Sequence, residues 1–146
     1  MRTVLILIAI WCITGTLSGC KKDKHDNKTT MDLLTQTKWI FTAIGLDMNG
    51  NKIIDASENV MPDCVKDNSF LFRKDETGMH EENAIVCPGG QGTTSFTWLL
   101  TENETRIDFG TASFEIMKLT ETDLVLFQGS FDPNNPDLGT IIVLKN

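Results

Sequence analysis

From residue 38 onward the chain divides into short segments rich in Val, Ile, Phe, Trp and Thr, each ended by residues that turn a backbone. That spacing limits the possible folds more than any other feature. The segments are 38–44, 69–73, 79–86, 94–101, 106–109, 113–119, 124–128 and 140–144. Between them lie turn-formers: Asp75-Glu76-Thr77-Gly78, with Gly78 placed to supply a positive φ, then Pro88-Gly89-Gly90-Gln91-Gly92, Asn103-Glu104 and Glu121-Thr122-Asp123. Ile107 and Phe109 alternate with charged neighbours, as in a half-buried strand, whereas 124–128 is continuously apolar and reads as covered on both faces. No segment keeps a helical period beyond one turn at 31–34, which Thr29 or Thr30 could cap and whose Leu33 or Leu34 could close one end of a barrel near Trp39. Eight strands in hairpin order leave two unpaired edges. Pairing the last strand with the first removes both, so an all-β, eight-stranded antiparallel up-and-down barrel is expected, with a half-open sandwich as the competing architecture.

The N-terminus carries a different kind of information. Arg2 precedes an apolar run from Val4 to Ile13, and Leu17-Ser18-Gly19-Cys20 follows. A charged start, an apolar middle too short to span a bilayer and small residues before a cleavage point make up a secretory signal. Its end resembles the lipobox of bacterial lipoproteins. That resemblance implies cleavage before Cys20, lipidation of its thiol and a chain held at the cell envelope by its first mature residue. The expected organisation is therefore a signal over 1–19, a disordered polar tether over 20–30 and one domain over 31–146.

Charge follows the same division. The whole chain has 13 basic and 20 acidic residues, so loss of Arg2 with the signal leaves 12 against 20, a formal −8. Lys21, Lys22, Lys24 and Lys28 crowd the tether and leave the domain more acidic still. A basic tether suits an anionic membrane surface, although a plain solvated linker has the same composition. The acidic domain argues against nucleic acid as a partner, because phosphate contacts need clustered Lys and Arg. With Cys12 in the signal and Cys20 lipidated, Cys64 and Cys87 remain, and in an exported chain they are most simply a disulfide. Neither has the neighbouring Cys or His that a zinc site needs.

One loop has the spacing of a cation site. From Asp47 to Glu58, side-chain oxygens fall at positions 1, 3, 5, 9 and 12 (Asp47, Asn49, Asn51, Asp55, Glu58), with the Ile53 carbonyl at position 7, as in an EF-hand calcium loop. Lys52 takes the place of the sharp-turn glycine at position 6, and no helices flank the loop. An ordinary polar connection is the competing reading. Enzymatic chemistry finds no support: His25 lies in the tether, His80 has no sequence-evident partner and reads as a partly exposed strand residue, and Glu81 and Glu82 point to opposite faces of a strand. The glycines at 89–92 join two strands instead of opening a helix, so they are not a phosphate loop.

In order, the lipobox, the polar tether, Leu33-Leu34, Lys38-Trp39, the Asp47–Asn51 loop, Asp63-Cys64-Val65-Lys66-Asp67-Asn68 before an aromatic strand, Thr77-Gly78, Cys87 and Trp98 resemble the lipocalin-like lipoproteins abundant in Bacteroidetes. The glycine that precedes the strand tryptophan by two in lipocalins is Thr37 here. The resemblance implies a compact lipocalin-like barrel on a lipid anchor, with no catalytic residues. Two functions suit such a molecule: a binding module for a small apolar or amphipathic ligand at the barrel mouth, or a solid barrel serving as an accessory subunit through contacts with an envelope protein. An interior cavity of roughly 300 Å³ or more favours the first. Trp39, Trp98 and the six phenylalanines at 70, 72, 96, 109, 114 and 127 could fill a small barrel completely.

Overall fold

The computed structural model describes residues 28–129, 134–135 and 138–146. A short helix α1 (Thr30–Thr35) leads into eight strands: β1 (Lys38–Asp47), β2 (Ser69–Phe72), β3 (Thr77–Glu81), β4 (Thr93–Thr101), β5 (Arg106–Phe109), β6 (Ala112–Leu119), β7 (Asp123–Gly129) and β8 (Gly139–Lys145). Every strand is antiparallel to its sequence neighbours, and β8 pairs with β1 over most of its length, closing the barrel. The expected class and strand order therefore hold, and the sandwich is excluded. Closure matters energetically because it leaves no first or last edge exposed along the sheet. Register shifts after Phe41 and after Ile116 each place one extra residue in a strand, bending β1 and β6 so that the sheet can curve into a cylinder.

Three details depart from the sequence reading. The ordered domain starts before residue 31: Thr29 caps α1 through a reciprocal pair with Asp32, and Lys28 bonds Gln36 and Glu121. Strand β3 stops at Glu81 instead of Val86, because Asp67 captures the backbone N–H groups of Ala84 and Ile85 and bends that segment away. The positive φ of the β2–β3 turn falls on Glu76, not Gly78. Gly78 lies inside β3, where a Cβ would overlap the Phe96 ring.

The two ends of the barrel are built differently. At one end the connections are short, and α1 lies across the opening with Leu34 fully buried and its carbonyl accepting from Trp39 Nε1 at 2.9 Å. Trp39, Phe72, Trp98, Ile107, Leu124 and Leu144 are all at most 2 % exposed in that half. The other end carries the long connections 48–68 and 82–92, joined by a Cys64–Cys87 disulfide with Cα atoms 5.2 Å apart. A one-turn 3-10 helix, Asp63–Val65, holds Cys64 in place. The expected signal over 1–19 and the expected lipidation site Cys20 lie outside the described residues, and no described helix is long and apolar enough to cross a membrane.

Candidate functional site

Strand pairing fixes which side chains enter the barrel. Opposed residues in adjacent strands share a face, so the pairs Trp39–Phe70, Phe70–His80, His80–Thr94, Gly78–Phe96 and Trp98–Phe109 form one inward-facing set. At the α1 end Trp39, Gly78 and Trp98 of this set are buried, while Leu100 and Leu119 on the same face are half-buried. Toward the open end Phe70, His80, Thr94, Phe96 and Phe109 all point inward yet remain only half-buried. An inward residue can meet solvent only if the barrel is open above it. The open end is therefore a shallow mouth floored by aromatic rings.

Those rings form one connected group. Phe70 has its centroid 5.0 Å from Phe41, 5.5 Å from Phe96 and 5.5 Å from Phe109, and Phe109 stacks on Phe114 at 4.7 Å. Most of the pairs meet edge-on or tilted, the favoured arrangement for aromatic quadrupoles. On the β7–β8–β1 side, a cavity of about 340 Å³ opens at the rim between Leu46, Gln128, Thr140 and Leu138. Leu46, Gln128 and Thr140 follow the inward face of Ile44, Leu126 and Ile142, so this space opens at the rim of the same end, beside the rings, which do not line it. Below it Ile44, Ile116, Ile142, Leu126 and Leu144 pack into one core. The lower barrel interior is solid; two further clefts, of about 370 and 670 Å³, lie along β3, β4 and β5 around Thr97 and Gly110.

The ionisable group of the mouth is His80. It is the one ionisable side chain among the described inward-facing strand positions, since the charged residues of the strands occupy the opposite face. Its ring lies 5.3 Å from Phe70 and 6.2 Å from Phe41, and Nε2 is 3.4 Å from the Asn68 amide nitrogen. Asn68 is 2 % exposed, and its Oδ1 has no hydrogen-bond partner. On the outside of β3, Glu81 pairs with Lys38 and with Ser69, and the Lys38 ammonium holds its carboxyl below the usual range. The sequence placed His80 on a strand but gave no sign of Asn68 beside it. That pairing appears only when the β2–β3 register is known.

The Asp47–Glu58 loop folds over the outside of β1, with Ile54 packed on Gly45. Asp47 and Glu58 are 2 % and 6 % exposed. Their oxygens are committed to the backbone: Asp47 accepts from Gly50 N and Lys52 N at 2.8 Å each, and Glu58 from Met48 N at 3.0 Å and Asp55 N at 3.1 Å. Asn49 and Asn51 accept from Asn51 N and Ile53 N, and Asn49 Nδ2 donates to Asp55. Lys52 does adopt a positive φ of 57°, as the glycine of a calcium loop does, but its ammonium turns to Glu115 and the Phe127 ring. Among the described residues no three His, Cys, Asp or Glu side chains gather within ligating reach of a metal. The donors present hold the loop in shape through N–H groups.

A profile of the lipocalin-like domain matches residues 24–126, most of the chain. The chain belongs to the lipocalin-like domain family. No curated protein matches it. Among solved structures it is similar to a DUF4847-family protein from Bacteroides vulgatus, at 12 % identity and a TM-score of 0.54, covering 80 % of this chain and 96 % of that one. At that identity the likeness speaks for the barrel alone. No enzyme family is indicated, and lipocalin-like barrels are typically binding domains.

Proposed function

We propose that this chain is a non-catalytic binding module, held at the bacterial cell envelope by lipid on Cys20, that takes a small apolar or amphipathic ligand in its open mouth. The observation that carries the reading is the contrast within one inward-facing set: aromatic rings are sealed at the α1 end and left half-open at the other, beside a rim cavity of about 340 Å³. That volume reaches the lower end of the range for ligand pockets, roughly 300 Å³. A half-exposed aromatic cluster loses favourable burial that a ligand's apolar surface restores. The chain enters the domain through α1 at the sealed end, so an anchor at Cys20 would hold the barrel by its base with the mouth facing away from the membrane. The solid lower barrel favours a second reading, an accessory subunit acting through its outer surface on an envelope protein.

Titration with N-phenyl-1-naphthylamine, a neutral probe that brightens in apolar surroundings, separates the two. Saturable binding that Phe70→Ala weakens tenfold or more supports the mouth; absence of binding at solubility-limited probe favours the accessory role. Membrane attachment is tested separately. The Cys20→Ser variant should move from the envelope fraction to the soluble one, and intact-mass spectrometry of the wild type should show acyl chains on the N-terminal residue.

A further inference from the structure

His80 and Asn68 give the mouth a chemical preference. The imidazole Nε2 lies 3.4 Å from the Asn68 amide nitrogen, the buried Asn68 Oδ1 has no hydrogen-bond partner, and the Phe70 and Phe41 rings flank the imidazole. His80 is the one described inward-facing strand side chain able to carry a positive charge. The groups facing His80 are these two rings from β2 and β1, the Asn68 amide at the start of β2, and Thr94 opposite on β4. None is charged. Glu81, the nearest carboxylate in sequence, sits on the outer face with Lys38.

We propose that His80 is the receptor for the head group of the ligand, and that the ligand is a small amphiphile with an apolar body over the Phe70–Phe96–Phe109 floor and one anionic head, carboxylate or sulfonate, paired with protonated His80. No Lys or Arg on a described inward-facing position competes for that head, so anionic ligands are held under mildly acidic conditions and released as the imidazole loses its charge. The proposal rests on the mouth reading above. It specifies which ligands that mouth prefers.

Two probes of one skeleton test it. N-phenyl-1-naphthylamine is neutral, and 8-anilinonaphthalene-1-sulfonate adds an anion to the same aromatic body. Affinities for both are measured at pH 5 and pH 8, on either side of the range in which imidazoles titrate, for wild type and His80→Gln. The sulfonate should bind the wild type about tenfold more tightly at pH 5, a preference that His80→Gln loses, while the neutral probe stays level in both proteins. The variant also controls for the general fall in negative charge on acidification, which strengthens anion binding everywhere. Equal pH dependence in wild type and variant, or none in a wild type that still binds the neutral probe, overturns the His80 assignment and leaves the mouth standing. Failure of both probes to bind overturns the mouth and His80 together. Melting curves of the two proteins that coincide at each pH show that the comparison is between folded molecules.

Discussion

The sealed and open ends of this barrel use the same strands and the same kinds of side chain for opposite purposes. At the α1 end, Trp39, Phe72, Trp98, Leu124 and Leu144 are removed from water, and a helix carbonyl satisfies the indole of Trp39. At the mouth, Phe70, Phe96, Phe109 and His80 occupy equivalent inward positions and stay half-exposed. Stability is concentrated where the connections are short, and loops tied by a disulfide surround the part left open. A barrel optimised only for stability would bury both ends, so the unfilled end is where recognition is to be sought.

The sharpest way to break this comparison is to substitute one aromatic residue at each end. Trp39→Ala removes a fully buried indole and orphans the Leu34 carbonyl, and should cost about 3–5 kcal/mol of unfolding free energy in urea. Phe70→Ala should cost about 1–2 kcal/mol, because much of that ring already meets solvent, while taking most of the probe binding with it. Equal losses at the two sites would mean that the mouth is packed as tightly as the base.

The disulfide comes next. It closes a span with a sequence separation of 23 between the two long mouth connections. The Cys64→Ser, Cys87→Ser double variant should lose about 3 kcal/mol, mostly by freeing the unfolded chain. Hydrogen exchange should quicken at 82–92 and stay slow at β7 and β8. Acceleration throughout the barrel would show that the disulfide supports the base as well. A smaller effect is expected at the Asp47–Glu58 loop. Its carboxylates already serve backbone N–H groups, so millimolar calcium should leave the melting temperature unchanged, and a rise of several degrees would establish the cation reading.

The strand pattern was legible because each strand alternates or ends in recognisable turn residues, and barrel closure followed from the cost of free edges. Less could be read where a side chain captures a distant backbone. Asp67 shortens β3 by bonding Ala84 and Ile85, a pairing across the disulfide-linked loops that no local propensity encodes. Gly78 looked like a turn residue because Gly after Asp-Glu-Thr usually is one, yet its role depends on the Phe96 ring from another strand. The candidate site was readable in composition and hidden in arrangement. Aromatic residues enough to fill a barrel were plain in the sequence, but which of them stay uncovered depends on α1 closing one end only. The oxygen spacing of 47–58 was equally plain, and the sequence could not show those oxygens turned toward the loop's own amides.

The smallest predicted effect tests how the sealed end is held at its entry. Asp32 caps α1 with Thr29 and receives Lys74 from the β2–β3 turn at 2.6 Å, and these donors lower its carboxyl pKa from 3.8 to about 2, the Lys74 contact most of all. Because the folded value lies below the unfolded one, the contribution to stability is present above about pH 4 and disappears as pH falls through about 2. A carboxyl-detected NMR titration should find Asp32 ionised well below the other surface carboxylates, and Lys74→Met should return it part of the way toward its ordinary value, the Thr29 hydrogen bonds remaining. The group is exposed, so screening by solvent keeps the effect on unfolding small. The variant should move the Asp32 titration midpoint while leaving the thermal midpoint and probe affinity of the mouth almost unchanged. A change at the mouth in response to this contact would show that the two ends are coupled through the packed core between them.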